Sequence, residues 1–409
     1  MTLRIEADLL IPGRGEPVRD GAVVVEGASI AYAGPATGAP PTPGAETVRA
    51  RAVMPGLWDC HVHLLGLPSV DNGQIPREPL ALRGARSTVD LRAALEAGVT
   101  SVRELGGLGV HLARAVGEGT VAGPRIYAAG AILSTTGGHG DIHGLPLPWV
   151  HDIAATTGEL RLCDGPAECA KAVREQLRRN AQVIKVCASG GVVSEVDHPI
   201  HQQFTAAELR AIVEVAGLAE RAVAAHCHGK PGIMAALAAG VRTIEHATFL
   251  DEESAAAMRE SGAIMVTTRT APHDVMASRS APAYALAKFD ALRDRQIAAI
   301  ALARESGVTL AAGTDIMVSG RGRPASWGRH GRELPLLAEC GLTPLEAIEA
   351  ATAAGPATLG PRAPRSGQLL SGYDADLITL DADPLADLTV LADPARVSGV
   401  WLGGRKMKG

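Results

Sequence analysis

Six side chains that can bind a metal ion fall at the ends of five separate strand-like segments. They are His61 and His63 in MPGLWDCHVH, Lys185 in VIKVCASGG, His226 in AAHCHG, His246 in IEHATF and Asp315 in AAGTDI. Residues two apart in a strand share a face, so His61 and His63 present two imidazoles on one side. That is half of a metal site at a strand terminus. The remaining candidates come from far along the chain, as they would if a closed barrel gathered its strand ends. The chemistry implied is metal-dependent hydrolysis. Packing alone explains His61 and His63 poorly, because two buried imidazoles on one face would need two partners. A single strand-end histidine is often structural, so His226 and His246 gain weight from the set. Asp315 by itself could be a helix N-cap.

The elements that must position these residues follow from periodicity. Eight short apolar runs occur: Leu57–His63, Val99–Leu105, Arg125–Leu133, Val183–Ser189, Ala222–His228, Thr243–Phe249, Ala263–Thr268 and Thr309–Asp315. Amphipathic helical patterns such as TAAELRAIVEVAGLAERA and DEESAAAMRESG lie between them, opening at Thr or Asp and closing at Gly. Eight βα units predict an α/β fold, a (β/α)8 TIM barrel, over residues 54–352. A doubly wound sheet would want a glycine-rich phosphate loop after the first strand, and HVHLLGLP is not one. Residues 1–53 and 353–409 read as strands and turns with no helical period, which predicts a small β-sandwich formed by both termini.

Composition narrows the partners. In 409 residues, 39 Lys and Arg face 44 Asp and Glu, a net charge of −5 that suggests neither nucleic acid nor an anionic membrane. Aromatic residues are only 3%, too few for base-stacking platforms. The core must be built from Ala, Val, Leu and Ile, which suits buried parallel strands. The six cysteines are scattered without a CxxC pair, so a reducing, cytoplasmic compartment is expected. The N-terminus does not read as a signal peptide, and no apolar run is long enough to span a bilayer.

The motifs PGLWDCHVH, IKVCASGG, AHCHG, IEHATF and GTD agree in type, order and strand position with the amidohydrolase superfamily, and the resemblance covers almost the whole chain. TTGGHGD (135–141) and SGGVVSEVD (189–197) are similar to the imidazolonepropionase-like, Xaa-Pro dipeptidase and Zn-carboxypeptidase branch, and to ochratoxin-degrading amidases. The resemblance implies two divalent metal ions, with Zn²⁺ expected. His61, His63 and Asp315 would hold one, His226 and His246 the other, and Lys185 would bridge them as a carbamate. A free lysine, with a pKa of about 10.4, is a cation without a lone pair. Reaction with CO₂ makes it an anionic two-oxygen ligand.

On this reading the substrate is a small molecule, a dipeptide or N-acyl amino acid with a free carboxylate. A metal-activated hydroxide would cleave its amide, with Asp315 as general base and then acid. The alternative is a cyclic-amide hydrolase of imidazolone type or a deaminase, and a non-catalytic scaffold is a third reading. His139 and His143, in TTGGHGDIHG, and His228, two residues past His226, are the expected substrate contacts. His139 or His228 would polarise the carbonyl. Arg269, Arg321 and Arg323 could hold an anionic group, with solvated arginines as the plainer reading. Asp141 is expected to fix its loop. Cys60 and Cys227 alternate with ligands and are expected to face the helices. A homo-oligomer is expected.

Overall fold

The computed structural model describes residues 2–409. Its centre is the expected (β/α)8 barrel. The eight strands are Leu57–Leu67, Val99–Glu104, Arg125–Ala128 continued by Ile132–Ser134, Val183–Cys187, Ala222–Cys227, Thr243–His246, Ile264–Val266 and Leu310–Ala311. All neighbours run parallel. Backbone hydrogen bonds complete the circle: Gln182 N–H donates to Ala128 O at 2.7 Å, and Cys60 N–H donates to Ala312 O at 2.9 Å. The strands are buried along their length and rich in Val, Ile and Ala, as strands covered on both faces must be. Helices follow each strand. Two of them, Ala206–Gly217 and Pro344–Ala350, open on Thr-Glu capping boxes that satisfy their first amides.

The first strand departs from a regular pleat. Asp59 pairs with Val102 and Val62 with Glu104, so three steps on one strand oppose two on the other. This is a β-bulge, and it reverses the in-out parity. Trp58 and Cys60 therefore point into the barrel, packed with Val183, Ala224 and Val266. His61 and His63 also point inward, one level higher. The expectation that Cys60 faces the helices fails for this reason, whereas Cys227 does lie in the strand–helix layer. Asp59 holds the bulge: its carboxylate accepts from His61 N–H at 3.1 Å and from the amide and hydroxyl of Thr314 at 3.0 and 2.5 Å. Burial pushes the Asp59 carboxyl up to about 8, against the Thr314 and His61 hydrogen bonds.

Both termini build one seven-stranded sheet. Its order is Arg405–Lys408, Val397–Leu402, Leu377–Leu380, Glu46–Pro55, Thr2–Leu10, Val18–Glu26 and Ser29–Pro35. Pairing is antiparallel except between Thr2–Leu10 and Glu46–Pro55. The sheet folds over, and Ala375 joins its two edges through Ala28 O and Gly404 N–H. Leu3, Ile5, Val23, Leu377 and Trp401 fill the space enclosed. Among the described residues no helix is long and apolar enough to cross a membrane.

Candidate metal centre

The barrel gathers all six predicted ligands at the C-terminal ends of its strands. His61 Nε2 lies 3.3 Å from Lys185 Nζ and 3.5 Å from Asp315 Oδ1, and His63 Nε2 lies 3.3 Å from the same oxygen. Nitrogens of His226, His228 and His246 form one group with ligand atoms within 4.8 Å of one another. His61, His246 and Asp315 form another, so the two share His246. His228 was expected one step further out. The structure stacks its ring on that of His246, with centroids 4.8 Å apart.

Partners outside the cluster set which nitrogen each ring offers. His61 Nδ1 meets the Glu245 carboxylate at 2.8 Å. Arg103, fully buried, grips Glu245 at 2.7 and 2.8 Å, and also donates to Cys60 O and Thr243 Oγ1. His63 Nδ1 meets Gly106 O at 2.9 Å, and His226 Nε2 meets Gly190 O at 3.1 Å. Those partners only accept, so these nitrogens carry the proton, and the other nitrogen of each ring is a free lone pair. His228 and His246 turn Nδ1 to the hydroxyls of Thr248 and Thr268, at 2.8 and 2.6 Å. Hydrogen-bonded outer partners of this kind orient metal-binding imidazoles.

The electrostatics agree. Burial, then the Lys185 charge, lowers the His61 pKa to about 4, and burial takes His226 and His246 well down. These rings are neutral at physiological pH, the form that binds a metal. Burial raises the Glu245 carboxyl, but the Arg103 charge and the His61 hydrogen bond outweigh it and bring it to about 2. Burial likewise opposes ionisation of Asp315, yet positive charge on His61, His63 and Lys185, when they are protonated, holds its carboxyl below the usual range. Burial lowers the Lys185 pKa. The backbone is strained here: His246 (φ 71°), Thr268 (φ 59°) and Asp315 (φ 58°) adopt left-handed conformations without being glycine. Convergent neutral imidazole lone pairs with one ionised carboxylate fit a divalent cation such as Zn²⁺.

A cavity of about 350 Å³ opens above the cluster. Leu65, Ile75, Ile132, Ile142, Leu160 and Met317 form one apolar group in its lining, and Val192, Val193, Val275, Met276, Phe289 and Leu292 also line it. His139, His143 and His228 all line it. The His139 ring lies 4.2 Å over that of His226 and its Nδ1 is 2.8 Å from Ser194 Oγ. Asp141 does fix its loop, accepting from Gly137 N–H at 2.9 Å.

The three arginines expected to hold an anion are elsewhere. Arg269 is buried behind Gln296. Arg321 is exposed and pairs with Glu96, and Arg323 donates to Pro68 O, because the loop after Ile316–Val318 turns away from the mouth. The arginines that do line the cavity are Arg77 and Arg293. No motif marked them. Asp59 was findable, since it lies two residues before His61, but Glu245 and Arg103 make sense only once three strands are closed.

This fold and site define a class. The chain belongs to the amidohydrolase family, whose profile matches residues 52–407, and is in that sense a hydrolase of carbon–nitrogen bonds. It is 42% identical to the ochratoxinase of Aspergillus niger, over 99% of this chain and 86% of that one. The crystal structure of A. niger ochratoxinase superposes with a TM-score of 0.92, covering 100% of this chain and 96% of that one. A prolidase solved with N-methylphosphonate-L-proline is 32% identical, with a TM-score of 0.89 and full coverage of both chains. An imidazolonepropionase of Streptomyces coelicolor is 27% identical over 95% of this chain and 92% of that one.

Proposed function

We propose that this chain is a binuclear metal-dependent amidohydrolase that cleaves the amide bond of a small carboxylate-bearing substrate, a dipeptide or N-acyl amino acid. The observation that carries it is the pair of ligand groups sharing His246, with the buried Lys185 amine beside His61. His61, His63 and Asp315 would hold one ion, and His226 and His246 the other. Carbamylation needs a neutral amine, and burial favours that form of Lys185. Bound divalent ions would lower the pKa of a water from about 15.7 toward 7 and polarise a carbonyl.

The chain's own residues do the rest. The Asp315 carboxylate accepts the proton of the nucleophile and returns it to the leaving amine. His139 and His228 flank the cluster on the cavity side, where a scissile carbonyl oxygen would sit. The apolar lining accepts the groups joined by the bond and excludes water. The test is a screen of dipeptides and N-acyl amino acids with metal-loaded protein, together with metal analysis. Two ions per chain and turnover of an acyclic amide are expected. One ion per chain with turnover of a cyclic amide would establish the imidazolone-type reading instead.

Arg293, at the cavity rim, is the better placed group for a substrate carboxylate. Its guanidinium now pairs with Asp294 at 3.0 Å and is half exposed. A free α-carboxylate should therefore be preferred over its amide, and Arg293→Ala should reduce that preference severalfold while leaving the amide's kcat/KM unchanged. Equal loss for acid and amide would show that Arg293 does not read the carboxylate.

A further inference from the structure

The roof of the cavity is the irregular segment Gly190–His201, between the fourth strand and the helix Ala206–Gly217. It supplies Val192, Val193 and Ser194 to the cavity wall. Three of its carbonyls converge on one atom. Lys288 Nζ donates to Gly191 O at 3.2 Å, Ser194 O at 2.7 Å and Asp197 O at 2.8 Å, and lies 3.6 Å from Asp197 Oδ1. An ammonium has three donors, so these carbonyls saturate it. Among the described residues none of the three has another hydrogen-bond partner. Lys288 projects from the long helix Ala283–Glu305, one turn after Tyr284, whose hydroxyl donates to Val193 O at 3.1 Å.

The connection runs on toward the metal ligands. The Asp197 carboxylate accepts from Gly191 N–H at 2.9 Å, from Gln203 Nε2 at 3.1 Å and from the Ser194 hydroxyl. Ser194 Oγ in turn meets His139 Nδ1, and the His139 ring lies over that of His226. Gly191 has to be glycine, because a Cβ there would lie 2.0 Å from the His139 ring.

We propose that Lys288 is a positioning residue: its ammonium is the cation around which the roof is wound. Through Ser194 it sets the orientation of His139 and the place of the Val192–Val193 wall. Lys288 touches none of the metal-ligating side chains, and a neutral side chain of equal length would leave three carbonyls facing each other with no donor. The kinetic part of this inference rests on the proposed reading of the cavity as an amidase site. The structural part does not.

The experiment uses the full-length metal-loaded chain with Lys288→Ala. Expected are an unchanged metal content, faster hydrogen exchange confined to Gly191–Asp197, and a kcat/KM lower by up to about 10²-fold, the scale of a 1 Å misplacement. Propylammonium should restore exchange protection and activity together, saturably, and tetramethylammonium at equal ionic strength should not. Ser194→Ala should lower kcat/KM while leaving roof exchange slow. Should Lys288→Ala fold poorly, Lys288→Met keeps the stem and gives the same readouts. Unchanged exchange and kinetics would overturn the proposal, and so would a loss accompanied by metal loss or indifferent to the alkylammonium. If the wild type cleaves no amide, the functional reading fails while exchange and its rescue still decide the clasp.

Discussion

Asp315→Asn should lower kcat by at least about 10²-fold with a much smaller change in KM, as for loss of a general acid–base group. The geometry makes this a clean substitution. Asparagine has the same shape, and the Asp315 main chain is held independently, its N–H donating to His61 O at 2.7 Å. What changes is charge and basicity. The carboxylate lies 3.3 and 3.5 Å from two imidazole nitrogens, and its pKa stays below the usual carboxylate range despite burial. An amide oxygen can still lie against a cation, but it cannot take a proton from the nucleophile and return it to the leaving nitrogen. Steady-state kinetics on variant protein of verified metal content is the measurement. Near-normal turnover would assign proton transfer to another group, with His228 the next candidate by position.

Lys185→Ala should lose bound metal, and with it essentially all activity. Lys185 Nζ lies 3.3 Å from His61 Nε2 inside a buried cluster, so deleting the side chain opens a polar void between ligands rather than at a surface. The loss should also appear without any activity assay. A ligand present at 100 times its Kd stabilises a fold by about 2.7 kcal/mol, so added metal should raise the Tm of the wild type far more than that of the variant. Short carboxylic acids, able to stand in for a carbamate, should partly restore metal content. Labelled bicarbonate should enter the wild type and not the variant. A variant that keeps a full metal complement would remove Lys185 from the ligand set.

The amino-acid sequence by itself determined the layered plan of this protein. Eight apolar runs alternating with amphipathic helices allow few architectures, because strands buried on both faces need helices on both sides. The types and order of His61, His63, Lys185, His226, His246 and Asp315 marked them as candidates in the same way, since each lies in the second half of a run or near its middle and a barrel brings strand ends together. Tertiary structure alone decided how they are aimed. Strict alternation put His61 inward and Cys60 outward. The bulge held by Asp59 and Thr314 turns both inward, and Thr314 follows the eighth strand, which only closure of the barrel brings beside the first. Pleat parity is a local rule, and a residue 255 positions away overrides it.

The imidazole lone pairs were invisible for the same reason. His61 offers Nε2 because Glu245 holds Nδ1, and Glu245 is held by Arg103, on three different strands. Loops made the largest difference. Arg269, Arg321 and Arg323 follow barrel strands and carry the right charge, but charge and chain position do not fix a loop's direction. Ion pairs and packing formed elsewhere draw these three out of the cavity and leave Arg77, Arg293 and the Lys288-bound roof to shape it.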